Sequence, residues 1–138
     1  MFNNILLATD GSEHSLRAGE KAIALAKCHE GSRMEIIYVI DGKHSKEDVL
    51  HHWGLDAADQ RKQKLQLIEQ KAKHEGIHFE TVFLHGEPGP TIVEYANKHQ
   101  FDAVVIGSRG LNTFQEMVLG SVSHKVAKRA KCPVMIVK

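Results

Sequence analysis

Cysteine is scarce in this chain, whose 138 residues include only Cys28 and Cys132. The two lie far apart and form no C-x-x-C pair, so neither a disulfide framework nor a zinc site is indicated. We therefore expect both cysteines to be buried free thiols.

An excess of charge of one sign is also absent. Eighteen Lys and Arg residues are balanced by seventeen Asp and Glu residues, which leaves a formal net charge of +1. Binding to a nucleic-acid backbone normally requires a strongly basic surface. The composition therefore argues against a nucleic-acid partner.

Long hydrophobic runs are missing as well. The apolar stretch at 5–8 is too short for the hydrophobic region of a signal peptide, and no segment approaches the roughly 18 apolar residues of a membrane span. We expect no membrane association and a cytoplasmic location. With 42% hydrophobic and 25% charged residues, the length suits one compact domain over residues 1–138.

Several motifs of catalysis and nucleotide binding do not occur. The chain has no G-K-[ST] Walker A ending, no G-x-G-x-x-G dinucleotide fingerprint and no G-x-S-x-G nucleophile elbow. These absences disfavour kinases, GTPases, NAD enzymes and serine hydrolases.

One catalytic pattern is present by its letters alone. His74-Glu75-Gly76-Ile77-His78 matches H-E-x-x-H, but that zinc site needs both histidines on one face of a continuous helix. Gly76 predicts a helix end and the following residues predict a strand, so we expect the two imidazoles to lie on different elements.

Five short segments have the apolar, β-branched composition of strands. Most lack alternation, and such near-continuous apolar runs are typical of parallel strands covered on both faces. The predicted strands are Asn4 to Thr9, Met34 to Ile40, His78 to Leu84, Ala103 to Ile106 and Val134 to Val137.

Helical periodicity occupies the segments between these strands. In the first helical segment, apolar residues at three- and four-residue spacing form one stripe: Leu16, Ala18, Ala22, Ile23 and Ala26. Leu65, Ile68 and Ala72 do the same in the second. The predicted helices are Ser12 to Cys28, Val49 to Glu75, Pro90 to His99 and Ser121 to Ala130.

The strict alternation of strands and helices predicts an α/β fold with a single doubly wound, five-stranded parallel sheet and helices on both faces. With strand order 3-2-1-4-5, the winding reverses between the first and fourth strands, where such folds bind ligands. These two strands are followed by the most unusual loops, Thr9-Asp10-Gly11-Ser12 and Gly107-Ser108-Arg109-Gly110.

The loop after the fourth strand has the composition of an anion site. Glycines permit positive φ and close approach of a ligand, so we expect Gly107 and Gly110 to turn the chain beneath a bound group. Gly120 precedes the last helix, whose first N–H groups lack internal partners and bind phosphate readily. Three side chains are candidate additional contacts: Arg109, Ser121 and Ser123.

Each of these residues also has a structural interpretation. Gly110 suits an ordinary turn and Ser121 a helix cap. Asp10 suits both a ligand contact and the turn that D-G-S forms before a helix. Its carboxylate is also a single candidate ligand for Mg²⁺.

The spacing Gly107-x-x-Gly110, nine residues, then Gly120-Ser121 resembles the G-x2-G-x9-G-[ST] nucleotide-binding signature of the universal stress protein family. Residues 4–12, 39–41 and 131–138 resemble its opening strand, second strand end and closing strand. The resemblance implies an adenine nucleotide α-hydrolase-like fold, a homodimer paired through Val134 to Val137, and bound ATP, with or without Mg²⁺.

The resemblance also implies roles for individual residues by matching position. Asp10, beside Ala8 and Thr9, would contact the ribose region, and the backbone of Val39 would contact adenine. Asn112-Thr113-Phe114 is bulkier than the corresponding residues of many members, which would narrow the loop. Four residues would run beneath the ribose and phosphates: Gly107, Ser108, Arg109 and Gly110. Four more would hold the phosphate tail: Gly120, Ser121, Val122 and Ser123.

The family resemblance implies nucleotide binding without an established reaction. Two alternatives stay open, namely an enzyme that hydrolyses ATP slowly or transfers an adenylyl group, and an interaction protein that binds no nucleotide. Independently of the family, Val134 to Val137 would form an exposed sheet edge that a second copy, related by a twofold axis, would cover.

Overall fold

The computed structural model describes residues 2–40, 54–109 and 120–138. Every predicted strand is confirmed within one residue at each end. The strands are β1 (Asn4–Thr9), β2 (Arg33–Ile40), β3 (His78–His85), β4 (Ala103–Gly107) and β5 (Val134–Val137).

Helices lie between consecutive strands, as predicted. The third begins at Pro88 instead of Pro90, and the predicted start of the second, at 49–53, lies outside the described residues. The helices are α1 (Glu13–Lys27), α2 (Gly54–His74), α3 (Pro88–Lys98) and α4 (Ser121–Arg129).

The strands form one five-stranded sheet in the order β3-β2-β1-β4-β5, and every neighbouring pair is parallel. The predicted doubly wound topology is therefore confirmed. β1 lies at the centre, where Ala8 pairs with Ile37 of β2 and with Ile106 of β4. Consequently the chain leaves β1 and β4 side by side at the carboxyl edge of the sheet.

Two apolar layers cover the sheet, and β1 contributes to both. Ile5, Leu6 and Leu7 are each 0% exposed. Ile5 and Leu7 pack beneath α1 and α2, whereas Leu6 packs on the opposite face with α3 and α4. Because successive strand residues point to opposite faces, a continuous apolar run serves both layers, each fully buried side chain contributing about 1.5–3 kcal/mol.

The expectation of buried thiols is wrong for Cys28, which is exposed. Cys28 is the C-cap residue of α1, where the helix leaves the core. Cys132 is partly buried, and burial raises the pKa of its thiol. Among the described helices, none combines the length and apolar composition needed to cross a bilayer.

Candidate functional site

The turn after β1 is organised by side-chain hydrogen bonds. Asp10 Oδ1 accepts from the Ser12 N–H at 2.9 Å and from the Ser15 hydroxyl at 2.6 Å. Ser12 is the N-cap of α1, and its side chain accepts from the Ser15 N–H at 3.2 Å. Gly11, at φ 77°, takes the left-handed conformation that the turn requires.

These contacts confirm the turn-and-cap interpretation of D-G-S. They also fix the orientation of the Asp10 carboxylate. Asp10 is only partly buried, so its side chain is accessible at the end of β1. Its role toward a ligand stays a prediction.

The carbonyl of Val39 is directed toward the same cleft. The Arg33 N–H donates to the Asn3 carbonyl on the β1 side, whereas the Ile40 carbonyl accepts from the Gly86 N–H on the β3 side. Since successive strand residues direct their backbone groups to opposite edges, those of Val39 face β1. The N–H groups of Asp10 and Gly11 do not continue the ladder, because they donate to Ser15 Oγ and Thr9 Oγ1.

Gly107 ends β4 without the left-handed conformation that glycine permits. Its φ is not positive, unlike that of Gly11. A Cβ at Gly107 would lie 2.9 Å from His14 Cβ and 3.0 Å from the His14 carbonyl carbon. Glycine has a packing reason here, because the first turn of α1 lies directly against the strand. The role of Gly107 beneath a ligand stays a prediction.

Ser108 connects three elements through its backbone. Its N–H donates to the Val137 carbonyl of β5 at 2.8 Å, and its carbonyl accepts from the Gly120 N–H at 2.8 Å. The bond between Gly120 and Ser108 therefore brings the residue before α4 to the end of β4. Arg109 is partly buried; Gly110 and the bulky residues 112–114 lie outside the described residues.

The first turn of α4 presents main-chain donors at this point. Gly120 is its N-cap and makes no side-chain capping bond, so the expectation that Ser121 caps the helix is wrong. The first intrahelical bond runs from the His124 N–H to the Gly120 carbonyl. The N–H groups of Ser121, Val122 and Ser123 therefore lack acceptors within the helix, and they carry the positive end of its dipole.

The two serines of this turn differ in their surroundings. Ser121 is exposed, whereas Ser123 is 3% exposed and its hydroxyl donates to the Gly107 carbonyl at 2.5 Å. A hydroxyl has only one proton to donate. Ser123 therefore joins α4 to β4 in this structure, and its main-chain N–H is the donor that remains for a phosphate.

The two histidines of the H-E-x-x-H letters lie on different elements, as expected. His74 ends α2, Gly76 follows with φ 73°, and His78 begins β3. Within residues 2–40, 54–109 and 120–138, no group of three or more His, Cys, Asp or Glu side chains is placed to hold a metal ion.

Sequence reasoning missed His14 and Arg17. His14 packs on Gly107, and Arg17 donates to the Lys138 main-chain oxygen at 3.1 Å. No sequence motif signals either contact, because both depend on how α1 crosses β4 and β5.

Comparisons with known proteins agree with this arrangement. "Universal stress protein YxiE" of Bacillus subtilis is 34% identical over 151 residues, and the match covers 100% of both chains. The solved "Universal stress protein UspA from Lactobacillus plantarum" has a TM-score of 0.82 at 25% identity and covers 99% of this chain and 98% of that one.

A second similar solved structure is that of a "universal stress protein in complex with cAMP". It has a TM-score of 0.71 at 28% identity, with coverage of 99% of this chain and 96% of that one. The family model described as "Universal stress protein family" matches residues 1–138. Sheet order, cleft and full-length similarity agree, and the chain belongs to the universal stress protein family.

Proposed function

We propose that this protein binds ATP in the cleft between the ends of β1 and β4 and acts as a nucleotide-responsive homodimer without efficient catalysis. The proposal is supported by the adenine nucleotide, cAMP, in the complex of a family member that is 28% identical. In this proposal the phosphates lie at the start of α4 and adenine lies near Val39.

The observation that carries the proposal is the cluster of main-chain donors at α4. Three consecutive N–H groups, those of Ser121, Val122 and Ser123, lie at the positive end of a helix whose first turn has no acidic residue. The bond between Gly120 and Ser108 holds this turn at the end of β4. Hydrogen bonds to a charged group contribute about 1.5–3 kcal/mol each, so several suffice for a phosphate chain.

The other end of the cleft suits a base and a sugar. The Val39 carbonyl faces the space beyond the end of β1, where it can accept from the exocyclic amine of adenine. Asp10, fixed by Ser12 and Ser15, is placed for a ribose hydroxyl. Ala8 and Thr9 are 3% and 6% exposed and form the floor between these positions.

Mg²⁺ would add charge neutralisation at the phosphates. Asp10 is the candidate carboxylate in this turn, with Oδ1 already accepting two hydrogen bonds. We therefore propose that Mg²⁺ binds only together with the nucleotide.

The homodimer proposal rests on β5, which ends one edge of the sheet. Met135 is 40% exposed, and the strand is only four residues long and wholly apolar. Pairing two copies through this edge would satisfy its outward backbone groups. We also propose a cytoplasmic location, which fractionation of cells producing a tagged chain would test.

Calorimetry with ATP, AMP and cAMP on nucleotide-free protein tests the proposal directly. We expect saturable binding of ATP, with AMP and cAMP weaker because they offer fewer phosphate oxygens. Chromatography of the nucleotide after incubation with the protein then separates binding from catalysis. Intact ATP supports a binding protein, ADP or adenylylated product supports an enzyme, and absence of binding by all three nucleotides contradicts the proposal.

A further inference from the structure

The end of β4 is tied to α1 and β5 through a side chain outside the proposed ligand contacts. The Arg17 guanidinium bonds the Lys138 main-chain oxygen through Nε at 3.1 Å and His14 Nδ1 through Nη2 at 2.9 Å. The residue before Lys138, Val137, accepts from the Ser108 N–H. Arg17 therefore connects the end of β5 to the first turn of α1.

His14 completes the connection, because it packs on the residue that precedes Ser108. The Cβ and main-chain carbonyl carbon of His14 lie 2.9 and 3.0 Å from the position that a Cβ at Gly107 would take. Contacts therefore run in a ring from Gly107 to His14, Arg17 and Lys138, and return through Val137 to Ser108.

The chemistry of this ring requires a neutral imidazole. Arg has five N–H donors and no acceptor, so His14 Nδ1 must accept from Arg17 and cannot carry a proton. Protonation of His14 removes this hydrogen bond and places two cations against each other. Histidine gains its proton in the physiological range when its surroundings permit.

We propose that His14 and Arg17 are positioning residues for the nucleotide cleft, and that protonation of His14 releases the end of β4 and weakens nucleotide binding. This inference rests on the proposed function. It assigns to the same site an acid-sensitive control by two residues that do not contact the ligand.

Charged residues stand on the elements that neighbour His14. The neighbouring elements contribute Asp10 before α1, Arg109 after β4 and Lys138 after β5. Asp10 Oδ1 already accepts from Ser12 and Ser15. α2 packs on another part of α1, where Ile68 meets Gly19 and Lys71 pairs with Glu20. Protonated His14 would thus face the Arg17 guanidinium across the 2.9 Å that separates Nδ1 and Nη2.

The first measurement uses nucleotide-free protein and follows hydrogen exchange of the Ser108 amide. From about pH 8 to about pH 5.5, where an imidazole gains its proton, we expect its protection factor to fall about three- to tenfold, the scale of one hydrogen bond. His14→Asn keeps an acceptor near the Nδ1 position that cannot be protonated, so protection should then stay constant.

Two further variants complete the design. Arg17→Met removes both hydrogen bonds and should show the low protection at both pH values. His29→Asn, in the exposed turn after α1, should behave as the wild type does. The Ile37 amide in the buried core is the internal reference. Equal Ser108 protection in the wild type and His14→Asn at both pH values would overturn the inference.

The second measurement compares the ATP dissociation constants of the wild type and His14→Asn. Protonation of the phosphates affects both proteins equally, so it cancels in the ratio. We expect a ratio near one at about pH 8 and about three- to tenfold weaker wild-type binding at about pH 5.5. A constant ratio overturns the positioning role. If the wild type binds no nucleotide at the higher pH, the proposed function fails, and the exchange measurement still decides whether His14 controls the end of β4.

Discussion

Ser108 and Gly120 are joined by a main-chain hydrogen bond of 2.8 Å, with the Gly120 N–H as donor. This bond brings the start of α4 to the end of β4, beside the turn that follows β1. The signature glycines at 107 and 120 therefore act at one place, although a long stretch of sequence separates them. The proximity of a helix start to a strand end gives the cleft its anion-binding character.

A charge introduced at Ser121 tests whether the start of α4 binds anions. Ser121→Asp adds a negative charge at the exposed first position of α4, which should weaken ATP binding about tenfold or more. The same charge should raise the free energy of unfolding by about 0.3–1 kcal/mol through the helix dipole. Calorimetry and urea denaturation measure the two effects.

Ser121→Asn is the matched control, since it has nearly the same shape without the charge. We expect its ATP affinity to remain within about threefold of the wild type. Equal weakening by Asp and Asn would contradict an electrostatic role for this helix start.

Gly107→Ala should destabilise the protein and distort the cleft together. The new Cβ meets the His14 main chain at 3.0–3.1 Å, so α1 must shift at a cost of about 1–3 kcal/mol. We expect weaker ATP binding in addition to a lower free energy of unfolding. Thermal melts and calorimetry on the same preparation measure both.

Gly19→Ala is the corresponding control, because its Cβ meets the buried Ile68 side chain at 2.8 Å, away from the cleft. It should lower stability while preserving ATP affinity in the folded protein. Loss of affinity in both variants would mean that general destabilisation, not the contact of His14 with Gly107, controls binding.

Glu35 predicts a pH dependence of stability. Burial and the neighbouring Glu80 raise the pKa of this carboxyl above 4.5, with His99 and Arg33 acting in the opposite direction. The folded state therefore holds the proton more tightly than the unfolded state, and this contribution is lost as the pH rises from about 4.5 through the raised pKa.

Glu35→Gln mimics the protonated acid and keeps an acceptor for the Tyr95 hydroxyl, which donates to Glu35. We expect it to increase the free energy of unfolding near neutral pH and to flatten its decline above pH 4.5. Urea denaturation across this range measures the effect. Glu30→Gln, at an exposed position, should leave the profile unchanged, and a Glu35→Gln variant less stable than the wild type at neutral pH would contradict the assignment.

Substitutions at Val134 test whether its backbone N–H pairs two copies in the proposed dimer. The Pro133 and Val137 carbonyls accept from the β4 side, so the Val134 backbone groups point outward from the sheet edge. Val134→Pro removes an outward N–H without removing a bond to β4 and should give a monomer. Val134→Thr keeps the N–H and should stay dimeric. Light scattering during gel filtration distinguishes them, and identical masses for both variants would argue against pairing through β5.

Local sequence was sufficient for much of the fold. The boundaries of β1 and β5 follow directly from their apolar runs, and Ser12 caps α1 as the D-G-S turn indicates. The alternation of elements then predicted a doubly wound parallel sheet, because right-handed crossovers leave few arrangements, and the family resemblance implied its order 3-2-1-4-5. Gly76 likewise separated the two histidines of the H-E-x-x-H letters, since a helix commonly ends at such a glycine.

The reasons behind individual site residues were less accessible. Gly107 was predicted to turn beneath a ligand, but its missing Cβ makes room for His14. Ser123 was predicted to donate to phosphate, but its hydroxyl donates to Gly107. Both contacts join residues distant in the chain, and a local pattern contains no information about which atoms will occupy a given space.

The sequence by itself determined the elements, their order and the two strand ends where polar and glycine residues gather, because hydrophobic periodicity and turn chemistry act over a few neighbouring residues. Only the tertiary structure decided how α1 crosses β4, which serine hydroxyl is consumed internally, and how Arg17 joins His14 to the end of β5. Those features arise from packing helices on a twisted sheet, where distances between remote residues are set by the whole core.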